Sequence, residues 1–90
     1  PAQEQYGLIS QMRRSSVSVS SNIAEGYGRT QNKDKEHFYI MALGSLTELL
    51  SQLILSTDVK YLSEQDLAIS RAQINKTKAQ LLSLLKVHRS

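Results

Sequence analysis

The side chains of this chain that could meet a ligand are mostly cations, and their spacing groups them. Arg71, Lys78, Lys86 and Arg89 recur near the carboxyl end, and on a helix they project together beside one apolar seam. A basic face of this kind suits a phosphate backbone, each neutralised phosphate of duplex DNA adding about −0.9 to the salt slope. The plainer reading is a solvated surface, with cations near a helix C-terminus also suiting its dipole. Arg13 and Arg14 are adjacent, hence about 100° apart on a helix. One is expected to pair with a carboxylate such as Glu48, leaving the other for bidentate phosphate contact. Gln11, Ser15, Ser18, Asn22, Glu25 and Arg29 follow one another by three or four residues. They line one face, readable as a binding surface that reaches phosphate through Arg29. The favoured reading is a structural polar network of Asn22, Glu25, Ser45 and Glu48, in which Asn22 and Glu25 are buried and satisfied by Arg14 or Ser45, fixing helix register.

Catalytic chemistry finds less to work with. Asp34-x-x-His37 is one half of the paired Glu-x-x-His units that di-iron bundles need, and it sits in a charged first turn. His88 lies close to the chain end, and Gly26-Tyr27-Gly28 lacks both the third glycine and the preceding strand of a dinucleotide fingerprint. It reads as a helix stop. With no cysteine there is no thiolate nucleophile, no disulfide and no zinc finger, and a reducing cytoplasm fits. The expectation is a protein that is not an enzyme and uses no cofactor or metal. There is neither a recognition-helix signature nor an aromatic stacking platform, so base-specific reading is not expected.

The elements that must carry these residues are helices. The only proline is Pro1 and no stretch alternates apolar with polar residues, so strands have little support. A first helix is predicted over about 7–28, with Leu8, Met12, Ser16, Val19, Ile23 and Tyr27 as its inner stripe and Gly26 and Gly28 ending it. Its serine-rich middle, residues 15–21, has poor helix propensity, but the flanking stripe keeps its phase and small side chains let a neighbour approach. A second helix is predicted over about 33–57. Its apolar face is wide, and Leu49, Leu50, Leu53, Ile54 and Leu55 together require burial on more than one side. Ser63 with Asp66 resembles a capping box that starts a third helix over about 63–87. Leu67, Ile74, Leu81 and Leu85 form its seam. Short connections predict an up-and-down antiparallel bundle, all-α, in a single domain spanning 1–90.

Ninety residues allow only a modest core, so self-association is expected to help. Composition is that of a globular protein, 40% hydrophobic and 21% charged. The longest unbroken aliphatic run is Leu53-Ile54-Leu55, which argues for a soluble protein without a membrane span. The net charge of +3 conceals an asymmetry. Residues 67–90 carry five basic side chains and no acid, whereas residues 1–66 carry six bases against eight acids. A basic end of this kind suits an anionic partner.

Several short strings occur in a telling order: Glu4-Gln5-Tyr6-Gly7-Leu8, Gln11-Met12-Arg13-Arg14-Ser15, and Asn22-Ile23-Ala24-Glu25-Gly26-Tyr27-Gly28-Arg29. Phe38, Ala42-Leu43-Gly44-Ser45, Glu48, Leu53 and Tyr61-Leu62 extend them. In these the chain resembles the bacterial four-helix-bundle proteins first noticed as products of 23S rRNA intervening sequences. The match covers about residues 1–62, and beyond Leu62 only the helical pattern agrees. Members usually carry a further amphipathic helix ahead of the segment that begins here at Pro1. The chain is thus either a fragment of a longer polypeptide, which is favoured, or a three-helix version with an exposed groove.

The resemblance implies a ring-like homo-oligomer, typically a pentamer. It is also similar in fold to the accessory variability determinant proteins of diversity-generating retroelements, which bind nucleic acid together with a reverse transcriptase. The leading expectation is therefore a homo-oligomeric bundle that binds RNA or DNA through Arg13, Arg14, Arg29, Arg71, Lys78, Lys86 or Arg89, or that assists a nucleic-acid enzyme such as a reverse transcriptase. The alternative is a structural ring that binds another protein. Basic side chains gathered on one surface favour the first, and basic side chains matched to Glu25, Glu36 and Glu48 favour the second.

Overall fold

The computed structural model describes residues 2–88, and side chains through Val87. Helix α1 spans Ala2–Gly28, α2 spans Asn32–Asp58 and α3 spans Glu64–His88. No strand occurs among the described residues, so the chain is an all-α bundle of three long helices.

The first helix begins at Ala2, five residues ahead of the expected start. Gly7 lies within it, flanked by open space, and Glu4 in the first turn suits the positive helix end. The serine-rich middle is helical throughout. Hydroxyls that could compete for local backbone groups are instead engaged across the helix pair. Ser15 Oγ donates to Gln52 Oε1 at 3.0 Å and Ser18 shares a hydrogen bond with Ser45 at 2.7 Å. These pairs, with Gly26 against Tyr39, run in opposite order along the two helices, so α1 and α2 are antiparallel.

The buried stripe of α1 is Ser15, Val19 and Gly26, which corrects the predicted one at two places. Ser16 is exposed where Ser15 is buried, and Tyr27 is 74% exposed where Gly26 is buried. The cause is steric. The ring of Tyr39, itself 1% exposed, lies so close to Gly26 that a Cβ there would come within 2.6 Å of its Cε1. Only glycine lets the ring in, and that rotates Tyr27 outward. Gly26 is therefore a site of close approach inside the helix and not its stop.

The second helix is the centre of the fold. Tyr39, Ala42 and Leu46 are buried along it, and its neighbours Leu43, Leu49, Leu50 and Leu53 pack against the core formed with Val19, Ile74, Leu81 and Leu85. Both α1 and α3 pack on α2, and among the described residues their backbones do not approach each other as closely. This explains an apolar surface wider than one face. Helix α2 also holds an 18-residue window of mean hydropathy 1.5 and at most two charges, long and apolar enough by composition to cross a membrane. The longest unbroken aliphatic run does not disclose this window, since Gly, Ser, Thr and Gln interrupt it without lowering its mean hydropathy much. Here the helix serves as the shared wall of the bundle.

The chain reverses after α2 through Lys60, at φ 66°. The amides of Tyr61 and Leu62 close on the Ser56 carbonyl at 2.8 and 3.1 Å. This left-handed residue satisfies carbonyls that a helix end leaves open. Ser63 Oγ then accepts the Asp66 amide at 3.0 Å, the N-cap expected from the sequence.

Candidate nucleic-acid interface

On α3 the seam residues Ile74, Leu81 and Leu85 are buried and Leu67 is half-buried. They turn the helix so that Arg71, Lys78 and Lys86 stand on its exposed side. From Arg71 to Lys86 is fifteen residues, about 22 Å of helix. No acid follows Asp66, and none of the three cations pairs with a carboxylate among the described residues. Arg89 lies outside the described residues. Lys76 projects to the other flank, where it lines a groove of about 680 Å³ with Ile23, Leu81, Leu84 and Val87. The groove lies between Ile23 of α1 and the facing side of α3.

The other candidate cations are not brought to this face. Arg13 and Arg14 are exposed on α1, and neither pairs with a carboxylate among the described residues. Arg14 and Glu48 flank one polar groove of about 570 Å³ between α1 and α2, with Gln11, Ser18, Ser51 and Gln52. The expected ion pair with Glu48 is therefore not made. Arg29 is already engaged, with its Nη2 3.1 Å from Glu25 Oε2 and its guanidinium 4.8 Å from the centre of the Phe38 ring.

The polar network also differs from the expected one. Asn22 donates to the Ser18 carbonyl at 2.8 Å and to Ser18 Oγ at 3.2 Å, and Ser18 carries the link to Ser45. Glu25 is exposed and bound to Arg29, one turn on, while Glu48 stays exposed outside the network. Arg14 takes no part. Serines one turn apart reach the partner helix with little side-chain entropy to lose, which displaced the longer charged groups from that role. Gln52 was the member missed, while Ser15 and Ser18 stood on the predicted polar stripe without being assigned to the network.

The junction of α1 and α2 holds what sequence reasoning did not find. Lys35 Nζ donates to the carbonyls of Gly26 at 3.1 Å and Tyr27 at 3.0 Å, capping the negative end of α1. The same ammonium lies 5.9 Å from the centre of the Tyr27 ring. His37 meets the Phe38 ring edge-on, centroids 5.3 Å apart. Three aromatic rings and two fixed cations thus share one corner. Among the described residues no group of three or more His, Asp or Glu side chains could hold a metal.

What the fold and these surfaces define is a small antiparallel helical-bundle protein with a basic row on α3 that no carboxylate pairs with among the described residues. The model of the 23S rRNA-intervening sequence protein family matches residues 1–83, and the chain belongs to that family. Comparison with curated proteins gives no match.

Proposed function

We propose that this chain is a non-enzymatic, homo-oligomeric bundle protein of the cytoplasm that binds nucleic acid through the basic face of α3, alone or as accessory to a nucleic-acid enzyme. The observation that carries the reading is the row Arg71, Lys78 and Lys86, exposed and without a carboxylate partner among the described residues. Of the acids of the chain, Glu25 is held by Arg29, Glu48 stands in the groove between α1 and α2, and Glu64 and Asp66 lie in the first turn of α3, ahead of Arg71. Self-association is supported by large apolar side chains left in solvent away from the basic row, among them Ile40, Met41 and Leu55 on α2 and Ile69 and Val87 on α3. Burying such side chains against another molecule removes apolar surface from water and favours association. A ring of five, the form the resemblance implies, repeats the basic row on every subunit and multiplies the charge offered to a backbone.

Fluorescence anisotropy of the purified protein with labelled RNA and duplex DNA over a range of salt tests the reading. Binding that weakens steeply with salt is expected. Absence of binding at low salt contradicts it and favours a ring that meets another protein.

A further inference from the structure

Helical periodicity would place Tyr27 inside, and the fold turns it out. Its ring is 74% exposed because Tyr39 fills the space against Gly26. An aromatic ring held in solvent loses burial energy that neighbouring positions of α1 keep. Its surroundings are fixed as well. The Lys35 ammonium is anchored by two carbonyls, one of them that of Tyr27 itself. It has three N–H groups, so one remains for a further acceptor beside the ring. Phe38, the other large ring of this corner, is already taken by Arg29 and His37. With only the Lys35 ammonium near its ring, Tyr27 is the more open of the two and offers a stacking surface that the sequence did not lead us to expect.

Resting on the nucleic-acid reading above, we infer that this corner is a docking site for single-stranded nucleic acid, an unpaired base stacking on Tyr27 while Lys35 meets the adjoining phosphate. Stacking tolerates any base, because every base has a π-face. A duplex keeps its bases stacked on one another and cannot use the site. The charges of the corner are nearly balanced, with Glu25 bound to Arg29 and Asp34 near Lys33 and Lys35 in the first two turns of α2. The contact therefore draws on the ring more than on salt-sensitive attraction, unlike the face of α3.

The test compares wild type with Tyr27→Leu and Tyr27→Trp, using a labelled uridine oligomer of about 12 nucleotides and a duplex of the same length. Tyr27→Leu is expected to weaken single-strand binding by about 5- to 150-fold, the range of one stacked base, by a similar factor at low and high salt. Tyr27→Trp retains binding, and duplex binding is unchanged in both variants. Wild-type binding that Tyr27→Leu leaves intact overturns the site while the function stands. So does an equal loss on the duplex, or a changed sedimentation coefficient of the free protein, which assigns the ring to a subunit contact. A wild type that binds neither oligomer overturns the function and the site together.

Discussion

At the scale of single residues, Gly26 and Tyr39 set the crossing of α1 and α2. A Cβ at Gly26 would lie 2.6 and 2.9 Å from two ring carbons of a side chain with no room to move. Gly26→Ala is therefore expected to cost about 1–3 kcal/mol, although alanine is the better helix former. Gly44, with nothing within 4 Å of an added Cβ, supplies the control. Gly44→Ala is expected to gain about 0.5–1 kcal/mol, and urea denaturation of both variants checks the opposite signs. Burial raises the Tyr39 phenol above its ordinary 10.0, and the nearby Tyr27 phenol adds to this. The folded state then holds the proton more tightly than the unfolded chain. Stability from this group is complete below about pH 10 and lost as the pH climbs toward the folded value. Urea midpoints measured from about pH 8 to 11 should fall less in Tyr39→Phe than in wild type. An equal fall in both would remove Tyr39 as the cause.

At the scale of elements, the three helices, their order and the Ser63 cap were legible, since punctuation and periodicity are local properties. Ser63→Ala is expected to cost about 1 kcal/mol, read as a lower melting temperature with unchanged helix content. The phase of α1 was not legible over its whole length. Ser15 against Ser16 and Gly26 against Tyr27 are choices of one residue, decided by Gln52 and Tyr39 across the interface and not by α1 itself. Apolar periodicity counts a tyrosine as inward and a glycine as punctuation, and close helix approach reverses both. The basic face of α3 was legible because leucine and isoleucine fix the seam beside it. Pairing of Arg14 with Glu48 was not, because long exposed side chains gain little from one geometry.

At the scale of the whole molecule, the bundle is thin for its length, with extents of 48 × 22 × 13 Å. Its buried apolar core is limited to Val19, Tyr39, Ala42, Leu46, Ile74, Leu81 and Leu85 among the described residues. A core of this size gives modest stability to a chain of 90 residues, while large apolar groups remain in water on α2 and α3. Association that covers them stabilises the fold by mass action, so the melting temperature should rise with protein concentration. Calorimetry over a hundredfold range would show it, and a constant value would contradict self-association.

Whether α3 carries the nucleic-acid contact is read most directly from the salt slope of duplex binding for wild type against a variant with Arg71, Lys78 and Lys86 all replaced by alanine. Each phosphate contact removed takes about 0.9 from that slope. A slope shallower by up to about 3 for each subunit engaged is expected in the variant, with folding and subunit number unchanged. Equal slopes and affinities in the two proteins would contradict it.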